Sequence, residues 1–427
     1  MEIFIPKEVK FLIDMIYQNG YEAFMVGGCV RDSILNLIPS DYDITTNAKP
    51  KEIMNIFKDY KIIDTGIKHG TVSIILNNNI YEITTYRIEG EYENNRRPKF
   101  VEFTSNIEED LRRRDFTVNA IAYNEHLGIV DKFNGLEDLQ KRIIKTVGNA
   151  DERFKEDALR MIRAIRFSSK LNFTIDENTL NSIYKNSYII KNISIERIND
   201  EITKTLISDN PQNIILLYKT NIFKNLGMYC NLNEYHYKTL EKNISMLKNC
   251  DNDLLDRLIM LDYLVSNEIL KCINKDEKYK YYCENIKKLN IINNLRYPNK
   301  VISYCNDIIE YMIKDIEKID NIILKKYLNN IGYEKLNKVF KLKLIYNEFL
   351  NNKNKIEFLK QCINKLNEIE SSKECYKIID LDIDGKIIKD LGYKGKEIGE
   401  KLSFLLDEVI KNPSLNKKDI LINLLKL

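Results

Sequence analysis

A chain of 427 residues is longer than one compact core usually serves, so two or more domains in series are expected. Hydrophobic residues at 44% and charged residues at 30% argue against wholesale disorder, and 66 Lys+Arg against 63 Asp+Glu leave a net charge of +3 that neither demands nor forbids a nucleic-acid partner. The 3 His are too few and too dispersed for a His-rich hydrolytic centre or a zinc site, so metal chemistry has to rest on carboxylates. The 8 Cys form no CxxC pair, the start MEIFIPKEVK lacks a signal-peptide core, and no apolar run approaches the ~18 residues of a bilayer span. A globular protein of the reducing cytoplasm, with no membrane attachment, is the expectation.

Residues 1–148 alternate short β-rich runs (AFMVGG, TVSIIL, YEITTYR, FTVNAIAYN, GIVDKF) with helical stretches and hold most of the 15 Gly. The segment VGGCVRDSILNLIPSDYDITT implies strand, turn, helix, strand. Gly27 and Gly28 let the backbone approach a triphosphate, and the helix that follows offers free N–H groups, with Arg31 adding a charge-assisted contact. In an extended DYD segment, residues two apart project to one side, so Asp41 and Asp43 face one site while Tyr42 points away. Two such carboxylates can bridge Mg²⁺ ions, which would activate a 3′-hydroxyl and steady a leaving pyrophosphate. Glu82 of IYEITTYR, on a strand that should lie beside the DYD strand, is a further acid candidate, with a solvated strand residue as the alternative, because alternation alone does not fix its facing side. Taken singly, GG is a turn and DxD a solvated loop; the joint spacing is the signal.

Next, LRRRDFTVNAIAYN sets Arg113, Arg114, Asp115 and Asn119 at the start of an apolar segment, where Asp115 can accept from a ribose hydroxyl and Arg114 can reach phosphate. In RFKEDALRMIRAIRF, helical spacing makes Asp157 and Arg160 neighbours on one face, with Arg163 and Arg166 turning gradually around the helix. An amphipathic helix with internal ion pairs is the alternative for any single pair. Cytosine and adenine each present an amino donor beside a ring-nitrogen acceptor, whereas uracil and guanine present a carbonyl beside an N–H, so a carboxylate plus a guanidinium complements the first pattern only. From about residue 150 the pattern is helical and glycine-poor, with breaks at Gly227 and DNDLL, a linker-like NNKNK at 351–355, and no fixed-period repeat.

GGxxRDxxL followed by DxD resembles the nucleotidyltransferase superfamily of polymerase-beta type. Residues 21 to about 205, including GIKHGTVSI, EGEYENNRRPKFVEF and ISIERINDEITK, resemble the class II tRNA nucleotidyltransferases, the family of bacterial CCA-adding enzymes and poly(A) polymerases. The resemblance implies an α/β N-terminal nucleotidyltransferase head (1–148) followed by an all-α elongated neck (149–207, base recognition), body (208–355) and tail (356–427, tRNA binding). It implies template-independent addition of C, C and A to the 3′ end of tRNA from CTP and ATP, with Mg²⁺ on Asp41 and Asp43. Gly28, Arg31 and Arg114 would hold the triphosphate and Asp115 the sugar, with Gly27 and Asn119 completing the nucleotide-binding set. Asp157 and Arg160 would read the base, supported by Arg163 and Arg166. The stretch Arg87 to Phe103 resembles the flexible loop that relatives need to switch from C to A addition, while its charge and single Pro98 also suit an ordinary mobile surface loop. In the tail, Gly395 and Gly399 open a helix near an RNA phosphate beside Lys394 and Lys396, or form a plain interhelical turn. The partners implied are the 3′ end and upper half of tRNA, CTP and ATP, with no protein partner. A poly(A) polymerase, an A-only or CC-only adding enzyme and an inactive RNA-binding scaffold are the alternatives.

Overall fold

In the computed structural model, the described residues are 3–228, 234–271, 273–274, 277–314, 316 and 320–425; Cys230 and Cys272 lie outside them. Tertiary contacts divide the chain into Met1–Asn231 and Leu232–Leu427.

The first unit begins with α1 (Lys7–Gln18), whose Val9, Leu12, Ile13 and Ile16 recur at helical spacing and are buried as one stripe. A mixed sheet of seven strands follows. In chain order its strands are β1 (Ala23–Val26), β2 (Asp43–Thr46), β3 (Lys61–Ile63), β4 (Thr71–Leu76), β5 (Asn79–Thr85), β10 (Ile121–Asn124) and β11 (Gly128–Asp131), and in space they run β11-β10-β1-β2-β5-β4-β3. Every pairing in it is antiparallel except β2 with β5, which is parallel. The apolar AFMV of β1 is buried on both faces, as a central strand requires. α2 (Gly28–Ile34) fills the β1–β2 connection and α3 (Pro50–Ile56) follows β2. Phe24 and Val26 pack with Tyr86, Leu111, Ala120, Ala122 and Val147 in a core that ties the sheet to α4 (Ile107–Arg112).

Between β5 and α4 the chain forms one long hairpin in two ladder segments, β6 (Arg87–Glu89) with β9 (Val101–Phe103) at its root and β7 (Tyr92–Glu93) with β8 (Arg97–Pro98) towards its tip. Asn94 and Asn95 turn the tip at φ 53° and 54°, a left-handed region that asparagine tolerates. After α5 (Gly135–Lys141) and β12 (Ile143–Ile144) come α6 (Ala150–Glu156), α7 (Leu159–Leu171), β13 (Thr174–Ile175), α8 (Glu177–Asn186) and α9 (Ile195–Leu206). The run that helical spacing treats as continuous is two helices: Asp157 is extended (φ −130°, ψ 105°) between α6 and α7. Asp157 and Arg160 therefore do not share a helix face. α10 (Ile215–Lys219) and α11 (Ile222–Asn225) also belong to this unit, and Asn210 ahead of them donates to the Ser169 carbonyl at 3.1 Å.

The second unit is helical throughout its described residues: α12 (Glu234–Ile244), α13 (Leu254–Leu270), α14 (Lys278–Tyr281), α15 (Ile291–Asn294), α16 (Asn299–Ile313), α17 (Asn321–Phe349), α18 (Lys353–Ser371), α19 (Gly385–Asp390), α20 (Lys396–Lys411) and α21 (Lys418–Leu424). α17 is broken at Gly332 (φ 80°, ψ 167°), a conformation open to glycine. NNKNK is a tight turn into α18 rather than a linker, with Asn351 at φ 55° and the Asn352 side chain capping the Lys355 N–H at 3.3 Å. Leu336 and Phe340 of α17 and Leu359, Cys362 and Leu366 of α18 form one core across that turn. Gly395 sits at the start of α20 with φ 57°, and Gly399 lies within its first turns. The α/β head followed by helices agrees with the expected fold class. Among the described residues, no helix is long and apolar enough to cross a membrane.

Candidate active site

The β2–β5 pairing sets the acidic face. Asp43 lies in register with Glu82, and residues level on adjacent parallel strands point to the same side of the sheet. On β5, Tyr81, Ile83 and Thr85 are buried while Glu82 is exposed, so Glu82 stands on the open face with Asp43. Asp41 precedes the strand, is exposed, and accepts from the Ser40 hydroxyl at 3.0 Å. The protein packed around Asp43 raises its carboxyl above the ordinary range; Arg114 pulls it down, while the charges of Asp41 and Glu82 push it up again. Asp43 therefore carries repulsion from an acid on either side of it, which a cation would relieve. No set of three His, Cys, Asp or Glu among the described residues forms a ready metal cage. A pair of aspartates with Glu82 one strand away, all hard oxygen donors open to solvent, instead fits a divalent ion that completes its shell from phosphate oxygens and water.

Beside this face, Gly27 adopts φ 80°. A Cβ there would lie 3.0 Å from Arg114 Nη1, so the glycine lets that guanidinium rest against the backbone. Arg114 is held from behind by Asp110, which is fully buried and takes Arg114 Nη2 at 3.4 Å and Thr45 Oγ1 at 3.3 Å on one oxygen. Its other oxygen takes Arg113 at 2.8 and 3.0 Å and the Arg87 N–H at 3.4 Å. Arg31 is buried in the wall, donating to Asp32 at 2.7 Å and to Asn119 Oδ1 at 2.5 Å. A Cβ added at Gly28 would meet that guanidinium only at ordinary contact distance, so Gly28 is not required by close packing there.

Asp115 accepts on all four sides: from the Phe116 N–H (2.9 Å), Asn119 Nδ2 (3.0 Å), and Arg163 Nε and Nη2 (2.9 and 2.7 Å). Burial alone would raise its carboxyl; the Arg163 charge, the bonds from Asn119 and Arg163, and the more distant Arg160 charge outweigh it and hold the value near about 2, against 3.8 ordinarily. A depressed carboxyl contributes stability above its unfolded value that is lost as pH falls through the folded one. Equilibrium denaturation at stepped pH is expected to show wild type losing roughly 2 kcal/mol more than Asp115→Asn between about pH 4 and pH 2. Equal acid slopes would contradict it.

On α7, Arg160 is buried, pairs with Glu156 at 2.6 Å, and donates to the carbonyls of Arg113 (2.9 Å) and Arg153 (3.2 Å). Asp157 takes the Leu159 N–H on Oδ1 (3.1 Å) and Arg197 Nη2 on Oδ2 (2.9 Å). Arg163 and Arg166 both pair with Glu201, at 3.5 and 2.6 Å. The guanidiniums of Arg31, Arg163 and Arg166 lie 5.1, 5.3 and 4.1 Å from the Phe167 ring centre, a cation–π contact that packs three like charges side by side. The hairpin tip reaches this region too. Asn95 donates to the Lys155 carbonyl (2.5 Å), its own carbonyl accepts from the Ala158 N–H (3.0 Å), and its Oδ1 accepts from Asn192 (2.7 Å). It thus grips the chain on both sides of Asp157.

The residues singled out in sequence accordingly form two neighbouring groups, acids with Arg114 at the sheet, and Asp115, Asn119 and the α7 arginines behind it. Asp110, Phe167, Arg197, Glu201 and Asn95 were not singled out. Within ISIERINDEITK, the spacing of Arg197 and Glu201, four apart and hence on one helix face, is the signal that points to them.

Residues 23–145 match the family model for the Poly A polymerase head domain, and 172–227 match that for the Probable RNA and SrmB- binding site of polymerase A. The CCA-adding enzyme of Ligilactobacillus salivarius (strain UCC118) is 36% identical over 438 aligned positions, covering 98% of this chain and 96% of that protein. The CCA-adding enzyme of Limosilactobacillus reuteri (strain DSM 20016) is 49% identical over 219 positions, 51% of this chain and 53% of that one. The crystal structure of the Bacillus stearothermophilus CCA-adding enzyme in complex with CTP superimposes with a TM-score of 0.70 at 29% identity, covering 99% of this chain and 98% of that one.

Proposed function

Because the chain belongs to the family of CCA-adding enzymes, tRNA nucleotidyltransferases with a poly(A) polymerase head, we propose that Asp41 and Asp43 are its metal ligands and Glu82 its third acid. The enzyme adds C, C and A to the 3′ end of tRNA from CTP and ATP without a template. Poly(A) polymerase and single-nucleotide variants of the activity are not favoured by a relative that carries the CCA-adding name across 98% of the chain. The family uses divalent metal, and we take the ion to be Mg²⁺, which when bound would activate the tRNA 3′-hydroxyl and steady the pyrophosphate that leaves. We also place the enzyme in the cytoplasm, on the strength of cysteines without CxxC pairing.

The observation that carries the residue reading is the register of Asp43 on Glu82 beside Arg114. Arg114, resting against Gly27, and the backbone at Gly28 receive the triphosphate, with Arg31 bracing Asn119 from the wall. With its acceptor positions filled, Asp115 serves the sugar by holding Asn119 and Arg163 there. Asp157 keeps one open acceptor position on each oxygen for the exocyclic amine of cytosine or adenine, and Arg160, with five N–H groups, has donors to spare for the ring nitrogen. Arg163 and Arg166, spread on Phe167, support the nucleotide. The helices of 149–207 serve as the base-reading neck and those after it as the body and the tail that holds tRNA; the expected division into 208–355 and 356–427 falls inside α18, which shares one core with α17.

The test is incorporation into tRNA lacking its CCA end, with CTP, ATP or both, read by product length. C addition that halts, followed by one A when ATP is present, is expected. Unlimited A tails, or no C incorporation, would overturn the reading.

A further inference from the structure

α9 presents two rows of side chains to its neighbours. Ile198, Ile202 and Leu206 recur every fourth residue and are buried, which fixes the rotation of the helix about its axis. One position before the first two of them stand Arg197 and Glu201, on the adjoining strip of the same helix. Glu201 is nearly inaccessible and ion-paired to Arg166 and Arg163, so the helix is locked by a charged row as well as an apolar one. Arg197 is carried by this fixed helix to Asp157.

Asp157 needs such a partner. It lies in extended chain between two helices, and the terminal torsion of an aspartate is broad, so a carboxylate anchored at one oxygen can still rotate. The Leu159 N–H anchors Oδ1; Arg197 Nη2, at 2.9 Å, anchors Oδ2. Two anchors on different oxygens define the plane and aim the remaining acceptor positions in one direction. The pair is not closed in the bidentate manner usual for a structural Arg–carboxylate bridge: Arg197 Nη1 is buried without a hydrogen-bond partner.

We propose that Arg197 is the positioning residue of the base-reading carboxylate, holding the plane of Asp157 so that it accepts from an exocyclic amine and not from the neighbouring ring N–H. The inference rests on Asp157 reading the base. A carboxylate free to swing would also accept the N3–H of uracil, so the loss of Arg197 should appear first as tolerance of UTP.

The experiment uses the full-length enzyme and tRNA lacking its CCA end. kcat and KM are measured for CTP and for UTP in Arg197→Met, Asp157→Asn and the double variant, beside thermal unfolding and tRNA affinity. Arg197→Met is expected to lower CTP-over-UTP selectivity by about tenfold, with unchanged tRNA affinity, and the double variant should be no less selective than Asp157→Asn alone. Selectivity that persists in Arg197→Met while Asp157→Asn loses it, or losses that multiply in the double variant, would overturn the positioning role. Selectivity that persists in Asp157→Asn would overturn the base-reading role itself and this inference with it. Should Arg197→Met fail to fold, Arg197→Gln, which replaces the charged fork by an uncharged amide with two N–H donors on one nitrogen, is measured against the same outcomes.

Discussion

Replacing Asp43 with Ala is expected to lower nucleotide incorporation by about 10³-fold or more, since a ligand to catalytic metal stands behind several kcal/mol of transition-state stabilisation. tRNA affinity should stay close to that of wild type if, as proposed above, the tail holds tRNA through phosphate contacts away from Asp43. Thermal stability gives the distinguishing signature. Folding raises the Asp43 carboxyl above its ordinary range, through burial and then through Asp41 and Glu82 against the pull of Arg114. An acid whose folded value is raised is less favourable as an ion in the fold than in the unfolded chain, so its removal relieves repulsion. The melting temperature should hold or rise while activity collapses. Asp43→Asn, which keeps the shape and loses the charge, should behave alike. Retained incorporation in either variant would discredit the metal assignment, and a large fall in melting temperature would recast Asp43 as structural.

The segments nearest in sequence were the most legible. Strand, turn, helix and strand from residue 21 to 46 follow from apolar runs, the GG turn and polar spacing, and the structure has β1, α2 and β2 in that order. The side on which Glu82 stands was not legible, because a period of two admits both faces until a neighbouring strand fixes the register. Helical spacing misled at Asp157. Asp157, Arg160, Arg163 and Arg166 fit one continuous periodicity, yet the Asp157 side chain bonds the Leu159 N–H and restarts the helix, a local competition that acidic residues often win. Asp110 and Asn95 lay beyond reach for a different reason. An acid three residues from an arginine reads as an exposed helical pair, and only the tertiary fold buries Asp110 against Thr45 and Arg114. An Asn-Asn pair reads as a turn, and only its neighbours reveal that the turn docks beside Asp157.

That burial makes Asp110 a residue whose loss should cost stability on the scale of a broken buried ionic cluster. Its two oxygens together receive Arg113, Arg114, the Thr45 hydroxyl and the Arg87 N–H, linking α4 to β2, two residues past Asp43, and to the root of the long hairpin. Although burial opposes ionisation, the charges of Arg113 and Arg114 and their hydrogen bonds keep its carboxyl below the ordinary range. Asp110→Asn leaves two guanidiniums facing an amide with only one acceptor oxygen, and removing one partner from a buried ionic cluster typically costs about 3–5 kcal/mol. Denaturant unfolding should register a loss of that size. In variant protein kept folded at low temperature, Arg114 is no longer fastened beside Gly27, so KM should rise for CTP and ATP in equal measure, because both bring the same triphosphate. Selectivity against UTP should not change, since Asp157 and its anchors on α7 and α9 are untouched. A loss that falls on one nucleotide alone would place Asp110 with the base-reading residues and remove it from the phosphate side.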